Sequence, residues 1–301
     1  MIDSNTLIII PVFNCADNIH KSLDSCLIQS IRSQILVLDN CSTDNTQPIV
    51  QSYSKVNDNI KLIINERNLG RIGNFNASLD YFMESKYKYL KILFSGDELV
   101  VDSIKIPEGI FAKHEGLSMV NGLYTFNYGK TKREVAKYFP KDRRVGVKEL
   151  VEIGVYPSSA TGTLNSVTYS KQGIGDLRLN PLFLGIGMFH NDILLNNGDI
   201  YYTNNVLGIF NLEVHKSFHK QYDYLYIYEY AFTKLYGLEN SKKFFSKSEY
   251  DKVRLSIALQ VIMECFSIGK TKLLIKVMHH LLVKLYFKII IKFNFKKKWA
   301  V

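Results

Sequence analysis

The chain has 301 residues, 47% of them hydrophobic, with only 6 prolines and 18 glycines. That excludes a disordered, collagen-like or low-complexity chain and leaves one large α/β domain or two lobes with a full core. The formal charge of +10 points at first to nucleic acid, but nine lysines and no acid fall in residues 270–301, so the rest of the chain is nearly neutral. Cys15, Cys26, Cys41 and Cys265 form no CxxC pair, and are expected to be reduced, small apolar residues rather than metal ligands or disulfides. The N-terminal sequence MIDSNTLIIIPVFN has no basic segment and a short apolar block, which predicts no signal peptide. No run of 18 uncharged apolar residues occurs, so no conventional spanning helix is expected and the protein is placed in the cytoplasm.

In chain order, Thr6–Ile10 predicts a buried strand, and Ile19, Leu23, Cys26, Leu27 and Ile31 recur at helical spacing. Ile35–Leu38 predicts a second strand ending in Asp39. The N-cap types of Ser42–Thr46, then Pro48, Ile49, Val50 and Tyr53, predict a helix. Ile60–Ile64 reads as a third strand, Ile72, Phe75, Leu79, Phe82 and Met83 as a helix face, and Tyr89–Phe94 as a fourth strand. This βαβαβαβ order predicts a parallel sheet with crossover helices, and ligands in such sheets lie beyond the carboxyl ends of the strands. Those ends are Pro11–Asn14, Asp39–Asp44, Asn65–Arg71 and Ser95–Glu98, all polar.

Residues 101–215 are less regular: strands near Met119–Asn127, a basic loop Lys130–Arg144, a turn-rich stretch from Tyr156 to Gly175, a helix from Pro181 to about Asn196, and strands Asp199–Thr203 and Val206–Leu212. From Lys216 onward the reading is mostly helical, including the alternating tyrosines Tyr222–Tyr230. Asp97 and Glu98 follow the fourth strand directly. Adjacent carboxylates repel, and a hard divalent cation such as Mg²⁺ or Mn²⁺ offsets that repulsion while holding a substrate's phosphates. The competing reading is a solvated Asp-Glu turn.

The runs LIIIPVFNCADNIHKSLDSCLIQS, ILVLDNCSTDNT, NERNLGRIGNFNASL and YLKILFSGDEL resemble the family 2 glycosyltransferases, over residues 5–100 and more loosely 180–220. The resemblance implies a GT-A fold: a Rossmann-like α/β domain with a mostly parallel central sheet flanked by helices, here with a helical C-terminal extension. It implies a nucleotide-sugar-binding half over 1–100, an acceptor half over 101–220 and a helical region over 221–301. It also implies an inverting transfer from a nucleotide-diphosphate sugar, with Mn²⁺ or Mg²⁺ as cofactor. Carried over by motif, Pro11, Phe13 and Asn14 would lie under the base. Asp39 would accept hydrogen bonds from base or ribose, with Asn40, Ser42 and Asp44 shaping that turn. Asn68, Gly70 and Asn76 match the next element. Phe75 stands where many members place an arginine, and Arg71 is the substitute cation, with an ordinary exposed helix-start arginine as its bland alternative. The acidic element reads Ser95-Gly96-Asp97-Glu98 without the leading aspartate. Asp97 matches the carboxylate near ribose and metal, and Glu98 replaces a final Asp as metal ligand.

The resemblance further implies a general base at a helix start in LGIGMFHNDILL, which makes Asp192 the candidate and Asp176 the reserve. His215, in FNLEVHKS, is a candidate third metal ligand, with His219 beside it; the only tryptophan is Trp299, so no QxxRW motif exists and single-sugar addition is expected over processive synthesis. In residues 270–301, Lys276, Lys284, Lys288 and Lys292 fall at multiples of four among apolar residues, ahead of KKKW. That pattern predicts a helix lying on an anionic membrane surface at the inner face of the cell membrane, with no nucleic-acid partner. The expected acceptor is then a hydroxyl of a lipid-linked glycan or another surface polysaccharide of the O-antigen, capsule or lipopolysaccharide kind. Two other readings stay open. One is a nucleotidyltransferase on a related sheet, which lacks support because no Gly-rich phosphate loop followed by Lys or Arg occurs near residue 15. The other is a non-catalytic nucleotide-sugar-binding protein.

Overall fold

The structure is a computed structural model and describes residues 3–127, 132–134, 139–152, 163–179, 187–214 and 238–256. Its first part is a regular α/β alternation: β1 (Thr6–Val12), α1 (Ile19–Leu27), β2 (Gln34–Asp39), α2 (Thr46–Val56), β3 (Ile60–Ile64), α3 (Gly70–Glu84) and β4 (Tyr89–Ile92). β1, β2, β3 and β4 pair in parallel in the order β3-β2-β1-β4. Each strand divides its side chains between two faces, as a period of two requires. Ile8, Ile10, Ile35 and Val37 pack with Ile19, Leu23 and Val50 beneath α1 and α2. Leu7, Ile9, Leu36 and Leu38 pack with Phe75, Leu79 and Phe82 of α3 on the other face. Burial on both faces is why these strands read as unbroken apolar runs.

The second part of the sheet is mixed in direction. Beyond β4 the sheet continues as β9 (Val167–Ser170), β6 (Leu117–Asn127), β10 (Asp199–Asn211) and β5 (Glu98–Leu99), with β7 (Lys132–Glu134) on β6 and β8 (Arg143–Val145) on β10. β9 runs antiparallel to both β4 and β6, and β10 runs parallel to β6 but antiparallel to β5 and β8. The basic segment 130–144, expected as a loop, therefore contains two short strands, and the turn-rich stretch contains β9. The two strands expected over 199–212 are one, with register shifts between Tyr202 and Val206 and again before Gly208. Helices α4 (Lys105–Lys113), α5 (Val147–Glu152), α6 (Lys171–Ile174) and α7 (Gly187–Asn197) complete the described elements up to residue 214, and residues 247–256 are helical. The alternating tyrosines, His215, His219 and the basic tail 270–301 lie outside the described residues. Among those described, no helix is long and apolar enough to cross a membrane.

Lys91, in the middle of β4, is wholly buried, and its Nζ donates to the Asn165 carbonyl at 3.2 Å. Burial lowers its pKa to about 7, with the neighbouring Cys26 opposing that shift.

Candidate active site

The sheet order places β2 on one side of β1 and β4 on the other, so the chain reverses direction at β1. In an open α/β sheet this is where the loops diverge and leave a crevice at the carboxyl ends. The loops after β1, β2 and β4 all rim it, and they carry most of the predicted site residues.

The β1 and β2 loops are sewn to each other. Asn14 adopts a left-handed backbone (φ 51°), accepts the Thr43 N–H on Oδ1 at 2.8 Å and donates its own N–H to Ser42 Oγ at 2.9 Å. The Cys15 N–H reaches Thr46 Oγ1 at 2.8 Å, and the Ala16 N–H reaches Asp44 Oδ2 at 3.0 Å. Desolvation works against ionisation of Asp44, but hydrogen bonds from Thr46 and from the backbone at Ala16 outweigh it and hold the carboxyl below its usual range. Phe13 stays 45% exposed beside these loops, an aromatic face open to solvent, and Pro11 is half-buried.

Asp39 ends β2 and is wholly buried. Its Oδ2 accepts from the Ser42 N–H at 2.9 Å and from Gln47 Nε2 at 2.8 Å. Its Oδ1 is buried with no hydrogen-bond partner among the described residues. A buried carboxylate oxygen without a donor is costly, on the order of 1–3 kcal/mol or more. Sites tolerate that cost where a ligand supplies the donor.

Behind Asp39 the amides of Asn40, Asn65, Asn68 and Asn74 form one network. Asn65 Nδ2 donates to Asn40 Oδ1 at 3.1 Å and to Asn74 Oδ1 at 2.9 Å, and Asn40 Nδ2 donates to Asn68 Oδ1 at 2.9 Å. The Leu69 N–H adds a bond to Asn40 Oδ1, and the Gly70 N–H one to Asn68 Oδ1, both at 2.8 Å. Gly70 opens α3 at φ +70°, a conformation that favours glycine. Asn65 and Asn74 were not singled out by the motif reading. Asn76, which was, instead exchanges two hydrogen bonds with the backbone of Leu179 (2.8 and 3.0 Å) and fastens that segment to α3. Phe75, at the position where the resemblance places an arginine, is core and meets Phe189 of α7 edge-on at 6.0 Å. Arg71, one turn earlier, lies over the Phe94 ring at 5.5 Å, next to the acidic turn.

That turn follows β4. The Asp97 N–H bonds the Phe94 carbonyl at 3.0 Å, and Ser22 Oγ of α1 accepts the Gly96 N–H at 2.9 Å while donating to the Asp97 carbonyl at 2.7 Å. Gly96 sits at φ +90°, and a Cβ there would lie 2.7 Å from Val214 Cγ1, so the close approach of residue 214 requires glycine. Asp97 is buried (2% exposed), and half-buried Glu98 begins β5. Asn211, at the end of β10, reaches both. Its N–H donates to Asp97 Oδ1 at 2.9 Å and its Nδ2 to Glu98 Oε1 at 2.9 Å. Among the described residues no group of three or more His, Cys, Asp or Glu is placed to hold a metal. Two adjacent carboxylates, each bonded by Asn211, nevertheless fit a hard divalent cation of the Mg²⁺ or Mn²⁺ kind. Such an ion commonly takes only one or two protein carboxylates and completes its shell with phosphate oxygens and water.

Asp192 is half-buried in the second turn of α7, not at the helix start as expected. Its neighbours Phe189, His190, Ile193 and Leu194 are buried. His190 Nε2 and the Tyr169 hydroxyl are 2.5 Å apart, and burial lowers the histidine's pKa to about 3, which makes it a neutral core residue. Asp176, the reserve candidate, is exposed just after α6.

Residues 7–90 match the family described as Glycosyl transferase family 2. An uncharacterized glycosyltransferase of Mycoplasma pneumoniae, the MG025 homolog, is 32% identical over 138 residues, 44% of each chain. The putative teichuronic acid biosynthesis glycosyltransferase TuaG of Bacillus subtilis is 30% identical over 99 residues, 33% of this chain and 38% of its own. The chain thus spans less than half the length of these relatives. The crystal structure of S. aureus TarS residues 1–349 in complex with UDP superposes with a TM-score of 0.62 at 17% identity, covering 84% of this chain and 70% of that one. That agreement shows the GT-A type of fold: a central sheet flanked by helices.

Proposed function

We propose that the protein is a glycosyltransferase that moves one sugar from a nucleotide-diphosphate sugar to an acceptor hydroxyl with inversion at the anomeric carbon. The observation that carries this reading is Asp39: a carboxylate wholly buried at the switch-point crevice, with one oxygen tied into its own loop and the other without a donor among the described residues. A base or ribose supplies N–H or O–H groups of the kind that oxygen lacks. Phe13 and Pro11 offer the apolar surface for the base, and Asn14 shapes the loop that presents them. Asn68, Gly70 and Arg71 line the next loop, with Arg71 on the side toward the diphosphate. Asp97 and Glu98 would hold Mn²⁺ or Mg²⁺, with His215 as a third ligand, and a bound ion there would offset charge gathering on the departing diphosphate. Asp192 takes the proton of the acceptor hydroxyl as its oxygen forms the new bond to the anomeric carbon. The old bond breaks with its electron pair leaving on the nucleoside diphosphate.

The first test is turnover of UDP- and GDP-sugars with Mn²⁺, by release of nucleoside diphosphate. Asp192→Asn should bind nucleotide as the wild type does and lose turnover by about 10³-fold, a general-base effect. Unchanged turnover would remove Asp192 from the mechanism. Binding without turnover by the wild type would favour the non-catalytic reading, for which the missing leading aspartate at Ser95 speaks.

The acceptor follows from two supports: the polysaccharide context in the name of the Bacillus relative and the basic apolar segment 270–301. We assign it as a lipid-linked or other surface glycan, met at the inner face of the cell membrane, with residues 1–100 serving the donor and 101–220 the acceptor. Flotation with anionic vesicles should carry the full chain upward and leave a chain lacking residues 270–301 behind; equal flotation of both would overturn the membrane assignment.

A further inference from the structure

We infer that Asn211 is the positioning residue of the acidic turn, holding Asp97 and Glu98 in the geometry a divalent cation needs. The inference rests on the reading of those two carboxylates as cation ligands. Four hydrogen bonds meet at this one residue, itself buried. Its N–H donates to Asp97 Oδ1 (2.9 Å), and its Nδ2 donates to Glu98 Oε1 (2.9 Å) and to the Gly96 carbonyl (2.5 Å). Its Oδ1 accepts from Asn127 Nδ2 at 2.6 Å. The last bond fixes which way the amide faces: with Oδ1 engaged by Asn127, Nδ2 is turned to Glu98 and the Gly96 carbonyl.

The chemistry suits a metal site better than a structural staple. Two neighbouring carboxylates repel each other, and the strongest way to join them is a lysine or arginine between them. Such a cation would neutralise the pair and compete with a metal. Asn211 takes one oxygen of Asp97 with its backbone N–H and one of Glu98 with its side-chain amide, and it adds no charge of its own, so it sets their spacing without competing with an ion. The clamp also comes from far away in sequence, from the end of β10, and Val214 three residues on lies against Gly96. Outer partners of this kind orient metal-binding carboxylates, and losing one lowers metal affinity by roughly 10- to 100-fold.

The experiment titrates Mn²⁺ into the full chain saturated with UDP, or with GDP if UDP does not bind, following the loss of the free-Mn²⁺ electron paramagnetic resonance signal. Asn211→Ala should weaken Mn²⁺ at least about tenfold, and turnover should recover as Mn²⁺ is raised while the metal-free protein keeps a cooperative thermal transition, which separates lost affinity from lost folding. Asn127→Ala, which removes the donor to the Asn211 amide oxygen, should weaken Mn²⁺ several-fold while its Tm in metal-free buffer stays near that of the wild type. A folded Asn211→Ala protein with wild-type Mn²⁺ affinity overturns the inference; should that variant fail to fold, wild-type affinity in Asn127→Ala overturns it equally. If the wild type itself takes up no Mn²⁺ with either nucleotide, the cation reading of Asp97 and Glu98 falls and this inference falls with it.

Discussion

Asp39 and the Asp97–Glu98 pair both stand at the carboxyl ends of the central strands, yet they are held in opposite ways. Asp39 is fixed by its own loop, through Ser42 and Gln47 within eight residues, and keeps one buried oxygen without a partner among the described residues. The acidic turn is fixed from outside, by Ser22 of α1 and by Asn211 more than a hundred residues away. A local frame can be completed by a ligand that slots into it. A frame assembled from three distant elements is set only when the whole sheet is, and its position follows the packing of β10.

This contrast can be broken by experiment. The largest effect is expected from replacing Asp97 and Glu98 together by alanine: the metal-dependent part of nucleotide binding should vanish, about 100-fold at saturating Mn²⁺, with binding in EDTA unchanged. Asp39→Asn should instead weaken binding by about tenfold with or without metal, since it alters a contact to base or ribose. Calorimetric titration of UDP or GDP in both buffers separates the two. If both variants lost the same fraction in EDTA, the two carboxylate positions would not be doing different things.

A smaller effect concerns Lys91 in β4, the strand that leads into the acidic turn. Its folded pKa of about 7 lies below the usual value of about 10.4 for a lysine. Between those values the unfolded chain binds the proton more readily than the folded one, so this group's contribution to stability improves as pH rises from about 7 toward 10. Below pH 7 the burial cost is present in full. Lys91→Met should raise Tm at pH 7 by several degrees and flatten the pH dependence across that window; a lower Tm at pH 7 would mean that the bond to the Asn165 carbonyl matters more than burial.

The same contrast marks what the sequence made legible. The parallel strands and Asp39 were readable because their signals are local: unbroken apolar runs, helical spacing, and capping residues close to the carboxylate they serve. β7 and β8 were not, because KRE and RRV look like loop, and charge at a sheet edge is common where pairing must stop. β9 is four residues, VTYS, too short for a period to show. β10 was split in two by Asn204 and Asn205, where the register in fact slips while the strand continues. Within the site, Asn211 gave no motif signal, since its partners lie at sequence separations above eighty. The change at residue 75 was visible as a missing arginine, but only the contact with Phe189 explains what replaced it.

That contact gives α3 a second duty. Arg71 stands at its first turn, over Phe94, and Phe75 follows four residues later against α7, the helix that carries Asp192. Asn76, next in line, ties α3 to Leu179. One turn of helix, about 5.4 Å along its axis, therefore separates its contact with Phe94, beside the acidic turn, from its contact with α7. The helix works as a fixed gauge block: the spacing between the acidic turn and α7 is cut into its length, and neither can be reset without moving the other.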